Sequence, residues 1–309
     1  MKRRNTITGT LAWLCWILLP TAAGTQTLLP LVRYFESDSL EMPGYTSVKV
    51  QTVQKTEAFK NKIQERIDEV VSYYDASGRL TEEEFRSNVS PSTISTRFTY
   101  DSLSGRLDHV GRSGGEKNSE AFANYDSLGR LSELVICTEG QACRVRYYEV
   151  DEDYTERVYE PAQSIELGFG KRNAYRTIFG MTAEKKQRAD LLRERFYDLE
   201  GRLEEIRNYN KNTFTHGWAF EFGADGLKTK AWAFNAAEKV PASTYEYDED
   251  GRLIAETSYV WLNGKTIVRL PDDAPAVLRY EYDARGRLIR TEKNDAHTSR
   301  VQEYTYYEN

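Results

Sequence analysis

The sequence predicts a mostly β protein of antiparallel hairpins, joined into one long curved sheet or an open β-solenoid. Three observations predict it. A seven-residue unit, Tyr-Asp-x-x-Gly-Arg-Leu, recurs along the chain. Apolar and polar residues alternate with a period of two before each copy, as in Arg97-Phe98-Thr99-Tyr100 and Arg279-Tyr280-Glu281-Tyr282. The chain is also rich in aromatics, with 21 Tyr and 12 Phe, yet low in mean hydropathy, as suits strands wet on one side. A supersecondary unit repeated along a chain decides the fold class ahead of any local reading.

The clearest copies are Tyr247–Leu253, with Asp248, Gly251 and Arg252, and Tyr282–Leu288, with Asp283, Gly286 and Arg287. Equal or looser ones begin at Tyr74 (Asp75, Gly78, Arg79, Leu80), Tyr125 (Asp126, Gly129, Arg130) and Tyr197 (Asp198, Gly201, Arg202). Tyr100–Leu107 has one residue inserted between Asp101 and Gly105, with Arg106 after it, and Phe222–Leu227 is a decayed copy lacking the Arg. Asp at the first turn position can accept hydrogen bonds from amides two and three residues on. Gly at the fourth takes the left-handed conformation at little steric cost, giving a type I turn closed by a bulge. In that register Tyr74 faces Leu80 on the core side, and Asp75 faces Arg79 on the wet side. The ion pair itself is worth only about 0.2–1 kcal/mol. Asp and Gly are there to shape the turn, and Tyr and Leu to fill the interior.

Residues 1–24 read as a processing signal. Lys2, Arg3 and Arg4 precede the nine-residue apolar run Leu11–Leu19, and Thr21-Ala22-Ala23-Gly24 offers small residues for cleavage. The run is short of the roughly 20 residues that span a bilayer. Leu14, before Cys15, stands where lipoprotein signals carry Gly or Ala. Losing this segment takes the formal net charge from −6 to −9, because it holds three basic residues and no acidic one. That balance argues against nucleic acid as a partner. No later stretch resembles a membrane span, so no stable insertion is expected after cleavage, and the protein belongs in the periplasm or outside the cell.

Residues 25–70 are the expected cap of an array running from 71 to 309, an atypical first unit covering its end. Within the cap Thr46–Val53 alternates like a strand, while Phe59, Ile63, Ile67 and Val71 suit a helix face and a strand face alike. The repeat glycines are spaced 27, 24, 72, 25, 25 and 35 residues apart. The gap of 72 has room for two hidden units, one of them a hairpin without its Gly at Tyr147–Tyr154 and the other within Ile165–Phe196. Against the latter, Thr182–Phe196 lacks Gly and Pro and is rich in helix formers, which makes it a candidate short helix docked on the sheet. Asn263-Gly264 marks a separate two-residue hairpin in the final, longer step. Val301–Asn309 reads as the first half of one more unit. Its unpaired edge could meet a partner's edge or a second copy.

Cys137 and Cys143 flank Gly140 across a short hairpin, and export places them in an oxidising compartment, so a disulfide is expected. Metal is not expected, since His109, His216 and His297 are scattered. No nucleophile elbow, zinc-protease helix, Walker loop or dinucleotide fingerprint occurs, so no cofactor and no enzymatic activity are expected. Paired carboxylates of a glycosidase remain a minor alternative. Trp218, Trp232 and Trp261, with Phe220, Phe222 and Phe234 nearby, are the binding candidates, because stacked aromatics hold sugars or peptides. The competing and favoured role for these rings is to fill the core where the repeat has decayed.

The unit and its spacing resemble the YD repeat of the RHS/YD-repeat family, over roughly residues 70–150 and 195–309. The resemblance implies hairpins joined edge to edge into a curling sheet, which in large members spirals into a shell around a toxic C-terminal domain. Other members are cell-surface proteins engaged in adhesion and carbohydrate contact. This chain is far shorter, ends inside a repeat and has no Asp-Pro pair of the kind found in the shell proteins' self-cleaving motif. The toxin function therefore does not carry over. The expectation is an exported, non-enzymatic scaffold or binding module for carbohydrate or protein ligands. An accessory or remnant of a toxin system is the alternative.

Overall fold

The computed structural model describes residues 29–36, 40–58, 62–153, 155–161, 189–263, 266–271, 274–295 and 298–308. One short helix, α1 (Leu29–Phe35), comes first. The strands that follow are β1 (Tyr45–Ala58), β2 (Lys62–Tyr74), β3 (Leu80–Ser87), β4 (Ser90–Tyr100), β5 (Leu107–Ser113), β6 (Ser119–Tyr125) and β7 (Leu131–Thr138). Next come β8 (Arg144–Val150), β9 (Glu156–Pro161), β10 (Ala189–Tyr197), β11 (Leu203–Asn210), β12 (Thr213–Phe222), β13 (Lys228–Phe234) and β14 (Lys239–Tyr247). The last are β15 (Leu253–Ser258), β16 (Val260–Asn263), β17 (Thr266–Arg269), β18 (Ala276–Tyr282), β19 (Leu288–Asn294) and β20 (Thr298–Glu308).

Eighteen of these strands form one antiparallel sheet in which each pairs with its chain neighbours, β15 passing to β18 over the separate β16–β17 hairpin. β20 then pairs with β1, from Tyr45↔Glu308 to Thr56↔Thr298. The sheet is a closed barrel. This overturns the open curved sheet or solenoid expected from the sequence, and the reason lies at the two ends. The half-unit at the C-terminus lacks a returning strand, and β1 supplies it. A buried polar seam seals the join, where Gln302 Nε2 donates to Thr52 Oγ1 (3.1 Å) and Thr291 Oγ1 donates to Gln302 Oε1 (3.2 Å). Val301–Glu308 is therefore not an open edge.

Three other expectations change. Residues 189–196, expected to be helical, lie in β10, which pairs with β9 and β11 on its two sides; neighbouring strands override helix propensity here. Residues 182–188 fall outside the described region, as does most of the second hidden unit. Residues 45–58 and 62–70 of the expected cap are wall strands of the barrel, and neither contains a helix. The glycine-free hairpin is present between β8 and β9. There Asp151 Oδ1 accepts from the Asp153 and Thr155 amides (3.1 and 2.8 Å) and Arg157 pairs with Asp151 (2.7 Å).

The repeat turns lie along one rim. Their glycines have φ between +70° and +84°. Asp75 Oδ1 accepts from the amides of Ser77 (2.9 Å) and Arg79 (3.0 Å), two and four residues on; only the lengthened Asp101 turn uses two and three, through Leu103 and Ser104. Tyr74 faces Leu80 across a bulge, as the repeat dictates. The Arg does more than pair with its Asp. Arg79, Arg106, Arg252 and Arg287 each lie over the Tyr ring of the next unit, at 5.1, 5.6, 5.5 and 5.2 Å. Those same tyrosines, Tyr100, Tyr125, Tyr282 and Tyr306, donate back to the carbonyls of Leu80, Leu107, Leu253 and Leu288 at 2.7–2.9 Å. Each hairpin is thus bolted to the one before it.

Strand register assigns every side chain to one of two faces, and α1 identifies the inner one. Tyr34 bonds Glu83 on β3, while Glu36, two residues on, meets Arg193 and Arg195 on β10. Strands seven apart can reach one short helix only from the concave side of the wall. Tyr and Leu of the repeat share that side.

Gly78 and Gly201 separate two costs. Both are left-handed, which costs a residue with a Cβ about 1–2 kcal/mol. A Cβ at Gly201 would meet nothing within 4 Å, but one at Gly78 would lie 2.7 Å from the Pro43 backbone. Gly78→Ala is expected to lower the urea-unfolding free energy clearly more than Gly201→Ala, and equal losses would contradict the packing of residues 40–44 on the β2–β3 turn. Deleting residues 301–309 should expose the edges of β19 and β1 and shift the protein to larger species by light scattering than the full chain forms. A monomeric truncated chain with an unchanged melting temperature would contradict the closure.

Candidate functional site

The interior has two unlike halves. On the side of β3–β9, α1 fills it: Leu31, Val32, Tyr34 and Phe35 pack against Leu80, Phe98, Val110, Ala121, Leu134, Ile136 and Val158. Polar contacts pin the helix at both ends. Glu83 takes bonds from Tyr34 and Ser72 (3.2 Å), and Glu36 is held by Tyr148 Oη (2.9 Å), Arg193 (2.9 Å) and Arg195 (3.3 Å). Burial alone would raise the Glu36 carboxyl, but the Arg193 and Arg195 guanidiniums outweigh it and hold it below the usual carboxylate range. With Leu31, Val110 and Leu134 wholly buried, this half is sealed.

The other half keeps half-buried polar and aromatic side chains on its inner wall. In the decayed unit, Phe222 stands in the Tyr position and Leu227 in the Arg position, so Lys228 occupies the slot held elsewhere by Leu80, Leu253 or Leu288. A core leucine has become a lysine. Its Nζ sits 4.2 Å from the centre of the Phe220 ring and 5.3 Å from that of Tyr245. Glu256 lies opposite Tyr245 in register, and Lys293 lies two strands beyond Glu256, with Leu278 between them. Burial lowers the Lys228 pKa, partly offset by Glu256, and burial raises that of Glu256 against the pull of Ser243, Lys228 and Lys293. An amine and a carboxyl on one wall, both shifted by burial and in opposite directions, mark it as a candidate site.

The floor beneath them is firm. The β16–β17 hairpin folds onto the inner wall at the end away from the repeat turns. It buries Val260 and Ile267 on Ala231, Ala233, Val240 and Ala242, with Trp218, Phe220, Tyr245 and Leu262 around them. Chemically, the arrangement offers two ammonium groups, one carboxyl and aromatic faces to a ligand that carries both polar groups and a flat or ring-shaped body. Among the described residues no cluster of His, Cys, Asp or Glu could hold a metal ion.

The three tryptophans do not form one platform. Trp218 is on the inner wall of β12 within the hairpin's cluster, as the core-filling role requires. Trp232 faces outward on β13, its Nε1 donating to Glu221 (2.6 Å) and its ring flanked by Lys230 (4.5 Å) and Lys239 (5.5 Å). Trp261 rides on the hairpin, 50% exposed. Cys137 and Cys143 are joined, with their sulfurs 2.13 Å and their Cα atoms 4.3 Å apart. They are buried with Phe122, Val135, Val145 and Tyr147 outside the β6–β8 wall. His109 stacks on Phe122 (4.5 Å), His216 bonds Thr215 (3.1 Å), and His297 is outside the described residues. Sequence reading passed over Lys228. The signal was available, since aligning the decayed copy with the others puts a charge in the leucine slot.

The outward face is charged over β1–β4, β11 and β18–β20, and apolar around the disulfide over β6–β8. Lys49 pairs with Glu69, Arg86 with Glu84 and Arg207 with Glu205, and Arg97, Arg279, Glu281 and Glu303 also point out. A barrel that spans a bilayer needs an outward apolar band about 25 Å tall. These charged strands interrupt any such band on their part of the wall.

No family model matches the chain, and no characterised sequence is similar to it. Similar solved structures include a porin-like protein from Bacteroides uniformis, 9% identical, covering 86% of this chain and 98% of that one at a TM-score of 0.40. A Tc holotoxin pore from Photorhabdus luminescens is 12% identical over 81% of this chain but 14% of its own, at 0.29. A DUF1329 family protein from Desulfovibrio piger is 8% identical over 90% of each chain, at 0.20. Likeness this slight carries no function across.

Lys228→Leu restores the repeat's core residue. It is expected to raise the unfolding free energy by about 1–2 kcal/mol, since a desolvated charge is replaced by packed carbon. A loss of stability in urea titration would mean instead that Lys228 is a satisfied structural cation.

Proposed function

We propose that this protein is an exported, water-soluble barrel that binds a carbohydrate on the part of its inner wall that α1 does not cover, without turning it over. The observation that carries the reading is Lys228, kept at a core position between Phe220 and Tyr245 where a leucine would stabilise the fold more. Rings that stack on a sugar, with an amine and a carboxyl for its hydroxyls, make a binding wall. The leader-like residues 1–24 and the oxidised cysteine pair support export to the periplasm or beyond. The charged outer wall supports a barrel that lives in water. On this reading the chain is a closed-barrel relative of the RHS/YD repeat proteins, supported by the Asp-clamped turns and the Tyr–Leu bolts between units.

A glycan array followed by calorimetry on the best ligand tests this. Lys228→Leu and Glu256→Gln are each expected to weaken binding at least tenfold, while Trp232→Ala on the outer face leaves it unchanged. Binding that ignores both inner substitutions would sink the assignment of the site. Turnover of the bound glycan would sink the non-enzymatic part of it.

A further inference from the structure

One register row crosses the inner wall on the side that α1 does not cover. It passes from Tyr245 through Glu256, Leu278, Lys293, Arg300 and Gln54 to Arg66, each opposite the next on the neighbouring strand. Leu278 packs with Tyr280, Leu288 and Tyr304, which places the row on the inner face. Lys228 stands at its start, 5.3 Å from the centre of the Tyr245 ring. Together they bring Lys228, Lys293, Arg300 and Arg66 to the wall, against the single carboxyl of Glu256.

At the far end Arg66 is answered within the wall, its Nε donating to both carboxylate oxygens of Asp68 (2.9 and 2.8 Å). The two lysines are not. Among the described residues neither Lys228 nor Lys293 forms an ion pair, and Glu256 attracts both only from a distance. Lys293 also faces Arg300 directly, and like charges set opposite one another across a strand pair are destabilising. The chain as a whole is at −6, so the row runs against its overall sign. Unpaired ammonium groups among rings and core residues cost stability, and both lysines would gain from an anion.

We propose that the ligand of this wall is an acidic oligosaccharide that carries carboxylates on more than one of its rings. The inference rests on the carbohydrate reading above and names the class of carbohydrate. Charge is the first reason. The hydroxyls of a neutral sugar leave both ammonium charges uncompensated, whereas a carboxylate answers each with a charge-assisted hydrogen bond. Extent is the second. Lys228 on β13 and Lys293 on β19 are four strand spacings apart, roughly 19 Å along the wall. No single ring bridges that distance, so the two lysines hold different rings of one chain. Phe220 and Tyr245 lie beside Lys228 to stack on a ring, and Glu256 stands between the lysines to accept from hydroxyls.

An array that pairs neutral oligosaccharides with uronate-bearing ones, probed with protein purified from an exporting host, tests the idea. The glycans retained should be the uronate-bearing ones. Retention of neutral glycans alone would overturn the inference and leave the carbohydrate reading standing, and no retention at all would remove both. Calorimetry then compares the best acidic glycan with the same glycan after its carboxyls are reduced to alcohols, which should bind at least tenfold more weakly. Lys293→Gln should lose at least tenfold on the acidic glycan and nothing on the reduced one, and Lys293→Arg should keep the acidic binding. Lys230→Gln, on the outer face beside Trp232, should change neither. The inference fails if the reduced glycan binds equally, if Lys293→Gln weakens both forms alike or neither, or if Lys230→Gln loses as much.

Discussion

Everything in this barrel depends on the register that one turn imposes. Two amides on a single aspartate oxygen, and a glycine that accepts a positive φ, set a bulge that brings Tyr and Leu onto the same side of the wall. Side chains alternate strictly along a strand, so a slip of one residue would exchange the two faces. Glu82 and Glu84 would then enter the interior, and Leu80 and Phe98 would face water. The turn is a small local device, repeated around the rim. Its product is global, a wall that is polar outside and Tyr-lined inside.

Much of this was legible because it is local. The hairpins, the turn geometry, the cysteine pair and the β16–β17 hairpin at Asn263 all follow from residues within reach of one another along the chain. What stayed hidden was set by distant partners. Nothing near Tyr304 says that its neighbour is Val50, and the half-unit at one end and the alternating strand at the other had to be read as complements. The β10 segment, with its Leu, Arg and Glu, satisfies helix propensity. It is a strand because β9 and β11 leave it no other pairing. α1, seven residues long, has too little periodicity to announce itself. The site was half legible: the sequence marked residues 218–234 as a break in the repeat, but its tryptophans drew attention from the lysine.

The two halves of the interior differ in what fills the repeat's leucine slot. Where the units are intact, α1 and the repeat leucines close the space completely. Where a unit has decayed, the leucine slot holds Lys228 and a hairpin props the wall from the far end. Identical modules pack identically, so chemistry enters by breaking one module and repairing the damage with an insertion. The outer wall plays no part in this.

The seam between β1 and β20 also governs when the molecule can exist. Thr52 and Gln302 are 250 residues apart, among the largest separations the chain allows. Contacts of that span are the slowest to form, since most of the chain must be ordered before they repay the cost of loop closure. Synthesis from the N-terminus delivers β1 early and β20 after all the other strands. Between those moments the growing sheet has two unprotected edges, and each is a template for a neighbouring chain. Assembly is therefore timed by the arrival of the final residues, and a chain interrupted anywhere before them is left sticky.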